Sequence, residues 1–524
     1  LPAKPGLKTV DLFDALLDGR VKALWIVATN PAASMPRADR VRAALAACPF
    51  VVVSDCWKTD TTGYAHVVLP AAGWGEKDGT VTNSERRISR QRPFRAPPGE
   101  ARPDWWQFAA VGRAMLWQEA FGWQTPAAVF REHAALSGHA NHGRRVFDIS
   151  AMADLTDAAY QTLRPFRWPL PAGTASEGGR LFAQGGFPTA DRRARFVPVA
   201  YAPLPQRAEP ALLLNTGRVR DQWHTMTRTG LVPSLATHTP EPLVTLNPAD
   251  AAAAGIAQSN LVRLTTQHGV AMLRADLRHT QRRGEIFAPM HWTDRFASNG
   301  LIGRVVDARV DPVSGQPELK ATAVRVAPVA VHFHGLLLRR ADGPLADDAT
   351  GAPCHWVRIP VAEGHLYRLA GLRPMPEGED LEAFATSLLQ LPGGVDCLQA
   401  ADPKRGILRM AGVADGALEA CLFLARDAAS LPAEGAVSAM LGAPVPDSAR
   451  PTILAGRMYG ATVAEGPKVC ACFGVTRGSI RHAIVTHHLT TAHEIGAHLQ
   501  AGTNCGSCIP ELEEIIRDVR IPAE

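Results

Sequence analysis

The feature that most constrains this chain is a set of four cysteines near its end. Cys470-Ala-Cys472 is followed, after a gap of 32 residues, by Cys505-Gly-Ser-Cys508. Four soft ligands in two pairs suit zinc or an iron–sulfur cluster, and binding either one draws two distant turns to a common centre. Structural zinc sites use CxxC or wider pairs, because the intervening turn sets the bite angle. The tighter CxC pair suits a two-iron cluster in which each iron takes two thiolates. A zinc site with four cysteine ligands is the alternative on ligand chemistry alone. Between the pairs, "TRGSIRHAIVTHHLTTAHEIGAHL" predicts two short helices, each opened by a Thr at a cap position. "CGSCIPELEEIIRDV" opens a third. The second pair therefore lies in the turn leading into a helix N-terminus, where backbone N–H groups stabilise negative charge. With four cysteines available, His482, His487, His488, His493 and His498 read as surface or capping residues.

The other cysteines, Cys48, Cys56, Cys354, Cys397 and Cys421, are scattered singly. An odd total in a chain of 524 residues is no disulfide framework, and buried inert thiols are expected. The length implies about three or four domains of ~100–200 residues. A net charge of +5 makes only a weak case for nucleic acid and fits an anionic cofactor or substrate as well. No apolar run approaches the ~18 residues of a membrane span. The opening "LPAKPGLKTVDLF" shows no signal peptide, so a cytoplasmic location is expected. It has no methionine and enters a helix-like pattern at once, as though the chain begins inside a larger protein.

"KALWIVA", "ADRVRAALAAC" and "PFVVVSD" read as strand, helix and strand, with a third strand at "AHVVLPA". Their spacing predicts a parallel sheet, whose ligands sit beyond the carboxyl ends of the strands. Asn30 follows the first strand, and Ser54 and Asp55 close the second. Asp55 is equally well placed as a turn former or helix cap. Residues 73–95 are Gly-rich and then basic. Asn83 there suits phosphate or purine binding, or a solvated loop. Asp104 is placed to cap the helix of "PDWWQFAAVGRAMLW". Residues 165–209 read as a long irregular connection. From about 205, "ALLLNTG", "PLVTLNP", "NLVRLTT", "GVAMLRADL", "GEIFAPM" and "TAVRVAPV" are short strand runs with turns between, the pattern of a β-barrel. In residues 330–460, "RGILRMAGVADGALEACLFLA" predicts a hairpin flanked by helical segments. His332 and His334 read as structural.

Read together, several stretches carry a family resemblance. The CxC…CxxC spacing with "IPELEEII" resembles the bacterioferritin-associated-ferredoxin-like [2Fe-2S] domain. "VVVSDCWKTDTTGYAHVVLPAAGWGEKDGTVTNSERRI" resembles the molybdopterin oxidoreductase superfamily. "LLLNTGRVRDQWHTMTR" with "VTLNPADAAAAGIAQSNLVRLTTQHG" resembles its C-terminal dinucleotide-binding barrel. With "VFREHAALSGHANHGRRVFDIS", the whole resembles the bacterial assimilatory nitrate reductase catalytic subunits. The resemblance implies an α/β molybdopterin region over 1–204, incomplete at its N-terminus. It implies a dinucleotide-binding β-barrel over 205–329, an α+β connecting domain over 330–463 and a mainly helical [2Fe-2S] domain over 464–524.

The implied cofactors are molybdenum bis(molybdopterin guanine dinucleotide) and a [2Fe-2S] cluster on Cys470, Cys472, Cys505 and Cys508. The implied pterin and nucleotide contacts are Asn30, Ser54, Asp55, Lys77, Asn83, Asp104, Thr216, Gly217, Arg218, Trp223, His224, Thr225, Trp292, Asn299 and Lys320. Gly217 permits close approach, and Arg218 offers a forked donor to phosphate. The family's [4Fe-4S] motif and molybdenum-ligating cysteine have no counterpart in this sequence, so no catalytic residue is assigned and the chain is expected to be inactive alone. The implied reaction is nitrate reduction to nitrite. The donor is open among an NADH-dependent flavoprotein subunit, a ferredoxin and a flavodoxin, with neither nucleic acid nor membrane as partner. Another enzyme of the superfamily, such as a formate dehydrogenase, a non-catalytic electron-transfer fragment and a zinc-stabilised binding protein are the rival readings.

Overall fold

The computed structural model describes residues 4–174, 179–198, 200, 211–340, 345, 354–441, 444–457 and 466–520. β1 (Ala23–Val27), β2 (Phe50–Asp55) and β3 (Val67–Pro70) form the expected parallel sheet, in that order. The helices Thr9–Leu17 and Ala38–Ala47 bury Phe13, Leu16, Val41 and Leu45 against Val51 and Val53. The basic stretch after it is a hairpin, β4 (Gly79–Thr82) and β5 (Arg87–Gln91), which β6 (Phe166–Arg167) joins as a third antiparallel strand. Pro103 occupies the N-cap position of the helix Asp104–Ala114 without a side-chain cap bond, and the Asp104 carboxylate is held by a lysine instead.

The six short runs after residue 205 become six strands of one closed barrel. They are β7 (Leu212–Gly217), β8 (Leu243–Leu246), β9 (Leu261–Thr266), β10 (Gly269–Leu277), β11 (Glu285–Pro289) and β12 (Thr322–Pro328), in the order β10-β8-β11-β7-β12-β9. Closure leaves no unpaired edge. The interior is filled by Leu214, Val244, Leu246, Val262, Leu264, Leu273, Ile286 and Val324. Asp294 ties the barrel to the parallel-sheet region. It accepts from Arg42 of the Ala38–Ala47 helix at 2.5 Å and from both terminal nitrogens of Arg304 at 2.8 and 3.0 Å.

β13 (Phe333–Arg339), β14 (Cys354–Val361), β15 (Gly364–Gly371), β16 (Asp396–Asp402), β17 (Ile407–Ala414) and β18 (Ala417–Ala425) form an antiparallel sheet ordered β14-β15-β13-β18-β17-β16. The predicted hairpin is β17–β18. One face packs on Met226, Trp292 and Phe296 from the barrel side, and the other on Phe384 and Leu388 of the helix Gly378–Leu389. Burial on both faces removes the apolar–polar alternation, which is why most of these strands were not separable by pattern.

At the end, β19 (Lys468–Cys470) and β20 (Val475–Thr476) make a short hairpin followed by the helices Arg477–His487, Ala492–Leu499 and Ile509–Arg520. Thr476 and Thr491 cap the first two, as expected, each in a reciprocal capping box. Ile480, Ile484, Ile495, Leu512 and Ile515 pack between them. No helix among the described residues is long and apolar enough to cross a membrane.

Candidate functional site

The segment Thr216–Thr225 leaves the barrel at the end of β7. Thr216 is anchored on both sides. Its hydroxyl donates to the Leu319 carbonyl at 2.6 Å, and its own carbonyl accepts from the Lys320 ammonium. Gly217 is required sterically, since a Cβ there would meet the Phe287 ring at 2.6 Å. Beyond it the loop is pinned by a residue that sequence reasoning missed. His291, fully buried, accepts from the Val219 N–H at Nε2 (3.0 Å), and its Nδ1 lies 2.7 Å from the His224 carbonyl. The amide and the carbonyl together require the neutral ring with its proton on Nδ1. Burial, with Arg218 and His224 nearby, holds the His291 pKa below the usual imidazole value despite the His224 carbonyl. Its only sequence signal was its position next to Trp292.

The pinned loop presents Arg218, stacked over Trp223 at 4.7 Å, and His224 at a positive φ of 42°. Burial, Arg218 and Arg228 all depress the His224 pKa. Arg228, which was also not singled out, acts in addition on Asp55 and Cys56 at the end of β2. The Asp55 pKa is raised by burial, against the Trp57 and Cys56 amides and Arg228. The barrel loop thus faces the carboxyl ends of the parallel strands. Asn30 makes the link directly: its side-chain amide donates to Thr225 Oγ1 at 3.0 Å and to Asp60 at 3.2 Å, while its oxygen accepts from the Thr61 amide and hydroxyl.

Other expected contacts also have partners within the fold. Ser54 is buried, accepting from the Trp25 indole at 2.9 Å and donating to Gln107 at 2.6 Å. Lys77 pairs with Asp104 at 2.6 Å, while the second Asp104 oxygen is buried with no hydrogen-bond partner. Asn83 accepts from the Glu85 and Arg87 amides and forms the β4–β5 turn. Asn299 is an exposed turn residue at φ 54°, whose carbonyl accepts from the Met272 N–H. Trp292 is buried between the barrel and the six-stranded sheet, with its indole N–H unpartnered.

The cysteines fall into an outer and an inner pair. Cys472 and Cys505 are exposed, with their sulfurs 3.4 Å apart. Cys470 and Cys508 are buried, and burial together with the neighbouring Cys470 pushes the Cys508 thiol up to about 11. Among the described residues, no group of three or more His, Cys, Asp or Glu side chains is drawn together as a single-ion site. Cys505 and Cys508 lie just before the 12-residue helix Ile509–Arg520, Cys470 ends β19 and Cys472 follows it, and four thiols in two pairs are a donor set that fits a two-iron cluster. The pterin side fits as well: the guanidinium groups of Arg218 and Arg228 at the loop suit an anionic ligand, and the buried, unpartnered Asp104 oxygen suits a hydrogen-bond donor.

Comparison with known families assigns these regions. Residues 1–114 match the family Molybdopterin oxidoreductase, 212–323 the Molydopterin dinucleotide binding domain, and 468–518 the BFD-like [2Fe-2S] binding domain. The chain carries the domains of a molybdopterin oxidoreductase. Its cofactor classes are therefore molybdopterin guanine dinucleotide with molybdenum and a [2Fe-2S] cluster. A nitrate reductase of Klebsiella oxytoca is 41% identical over 98% of this chain, which spans 58% of that protein's length. The assimilatory nitrate reductase catalytic subunit of Bacillus subtilis is 30% identical over 63% of this chain and 45% of its own length. A putative formate dehydrogenase of Bacillus subtilis is 31% identical over 62% of this chain and 31% of its own length.

Proposed function

We propose that this chain is the portion of a molybdenum-dependent, cytoplasmic assimilatory nitrate reductase that receives electrons and holds pterin dinucleotide. It would reduce nitrate to nitrite. The observation that carries the reading is a junction in the fold. The helix that follows Cys508 reaches back through Glu511 to Arg220, inside the Thr216–Thr225 loop, at 3.1 Å. An electron carrier and a pterin loop meet at Arg220. When bound, the pterin-held molybdenum supplies the oxygen-atom chemistry, and the cluster supplies electrons one at a time.

In this reading Arg218 and Arg228 hold the dinucleotide's phosphate groups. His291 keeps the loop rigid. Asn30 and Thr225 fix the loop against the parallel sheet. Cys470, Cys472, Cys505 and Cys508 hold the cluster.

The nitrate-reductase relative matched along nearly the whole chain supports nitrate as substrate, and the relatives named formate dehydrogenases motivate the second reading. Anaerobically purified chain is expected to be brown, to give a paramagnetic signal on reduction, and to show no nitrate-dependent oxidation of reduced viologen by itself. Fused behind a segment carrying a four-iron motif and a molybdenum-ligating cysteine, it is expected to turn over nitrate and not formate. Turnover by the chain alone would overturn the inactivity, formate oxidation the substrate, and colourless zinc-loaded protein the redox reading.

A further inference from the structure

We infer that Arg220, a residue of the barrel loop, is a positioning residue for electron delivery: it latches the cluster domain and holds a positive charge beside the cluster's ligands that raises the cluster's affinity for an electron. This rests on the reading of the C-terminal domain as a [2Fe-2S] carrier feeding the pterin.

The guanidinium is bonded from both sides of the junction. Nε and Nη2 form a fork to Asp221 of its own loop at 2.9 and 2.8 Å. Nη1 donates to Glu511 at 3.1 Å, and Nη2 donates to the Val469 carbonyl at 2.8 Å. That carbonyl belongs to the peptide whose N–H is that of Cys470, so the bond polarises the backbone of a buried cluster ligand. His238 also contacts Glu511, at 2.8 Å, and Arg477 lies 3.9 Å from its other oxygen. The Arg220 side chain is only 17% exposed, so solvent screens it weakly. Burial works against its charge, and Asp221, Glu511 and Cys508 outweigh that effect.

One-electron reduction of a two-iron cluster adds one negative charge among four thiolates. A fixed cation hydrogen-bonded into that environment favours the reduced state, as do hydrogen bonds and charge around cluster sulfurs generally. Asp221 partly neutralises the cation from the barrel side. The two substitutions therefore carry opposite signs: removing Arg220 lowers the potential, and removing the Asp221 charge raises it.

The test is a dithionite titration, followed by electron paramagnetic resonance, of the 524-residue chain reconstituted with iron and sulfide. Wild type is compared with Arg220→Gln and Asp221→Asn at matched iron content. The expected result is a midpoint below wild type for R220Q and above it for D221N. An unchanged midpoint in either variant with an intact cluster signal overturns the inference. If R220Q fails to hold its cluster, D221N alone decides, since among the described residues the Asp221 side chain is bound by Arg220 and lies 3.9 Å from His238, both outside the cluster domain. Wild-type protein with no reduced-state signal would instead overturn the cluster reading itself.

Discussion

His291 shows how much of the site depends on a single neutral imidazole. It holds an amide at one end of a six-residue span and a carbonyl at the other, and no water-facing surface is left to replace either bond. His291→Phe is expected to leave both groups unpaired, at roughly 1–3 kcal/mol each. It should lower the thermal midpoint and reduce the pterin dinucleotide retained on purification, measured as released pterin fluorescence. Gly217 is similarly unforgiving, because any side chain would displace the Phe287 ring. His355 carries the clearest pH dependence. Burial, with Arg274 nearby, lowers its pKa from 6.5 to about 3, against the Ser298 hydrogen bond. The unfolded state binds this proton first as pH falls, so the stabilising contribution is intact above pH 6.5 and is lost progressively toward pH 3. At about pH 5 the loss is roughly 2 kcal/mol. Urea unfolding of wild type and His355→Gln across this range checks it, since the variant should lose that part of the pH slope.

Between elements, the six-stranded sheet is joined to the barrel by charge as well as by apolar packing. Arg368 of β15 forks onto Glu434 at 2.7 Å through two nitrogens and reaches Glu241 at 2.5 Å. Arg274 of β10 donates to the other Glu241 oxygen at 2.9 Å. Glu241 is buried between two cations, so Glu241→Gln leaves two guanidinium groups short of countercharge. The expected cost is ~3–5 kcal/mol, read from the urea midpoint. Replacing the whole trio with apolar residues of similar volume should cost far less, because the penalty lies in the orphaned charges.

Across the whole molecule, the cluster domain is small and is held to the barrel loop by Arg220 and His238, both acting on Glu511. Glu511→Ala is expected to remove roughly 1.5–3 kcal/mol per charged hydrogen bond, less what solvent screens at this partly exposed carboxylate. The prediction is a larger radius of gyration by X-ray scattering with unchanged far-ultraviolet circular dichroism. An unchanged radius would mean that other contacts suffice to dock the domain.

Much of this organisation was legible without coordinates. The barrel announced itself because its strands are short apolar runs set off by turn residues, and the terminal helices because Thr476 and Thr491 begin capping boxes. The cysteine pairs were legible because their spacing is a chemical statement. These are local signals, set by periods of two or 3.6 residues and by single side-chain chemistry. Apart from the β17–β18 hairpin, the six-stranded sheet escaped because both of its faces are covered, which erases alternation. The Asp104 cap failed because Lys77, distant along the chain, takes the carboxylate. Arg228 and the Arg220–Glu511 contact left no trace in any window of sequence, and His291 only its place beside Trp292, since each acquires its role from a partner far along the chain. Sequence alone determined which elements form and which atoms can bind metal, because those follow from neighbours within a few residues. Only the tertiary structure decided which loop meets which strand end and which charge sits beside which thiol, because those depend on how the buried faces close on one another.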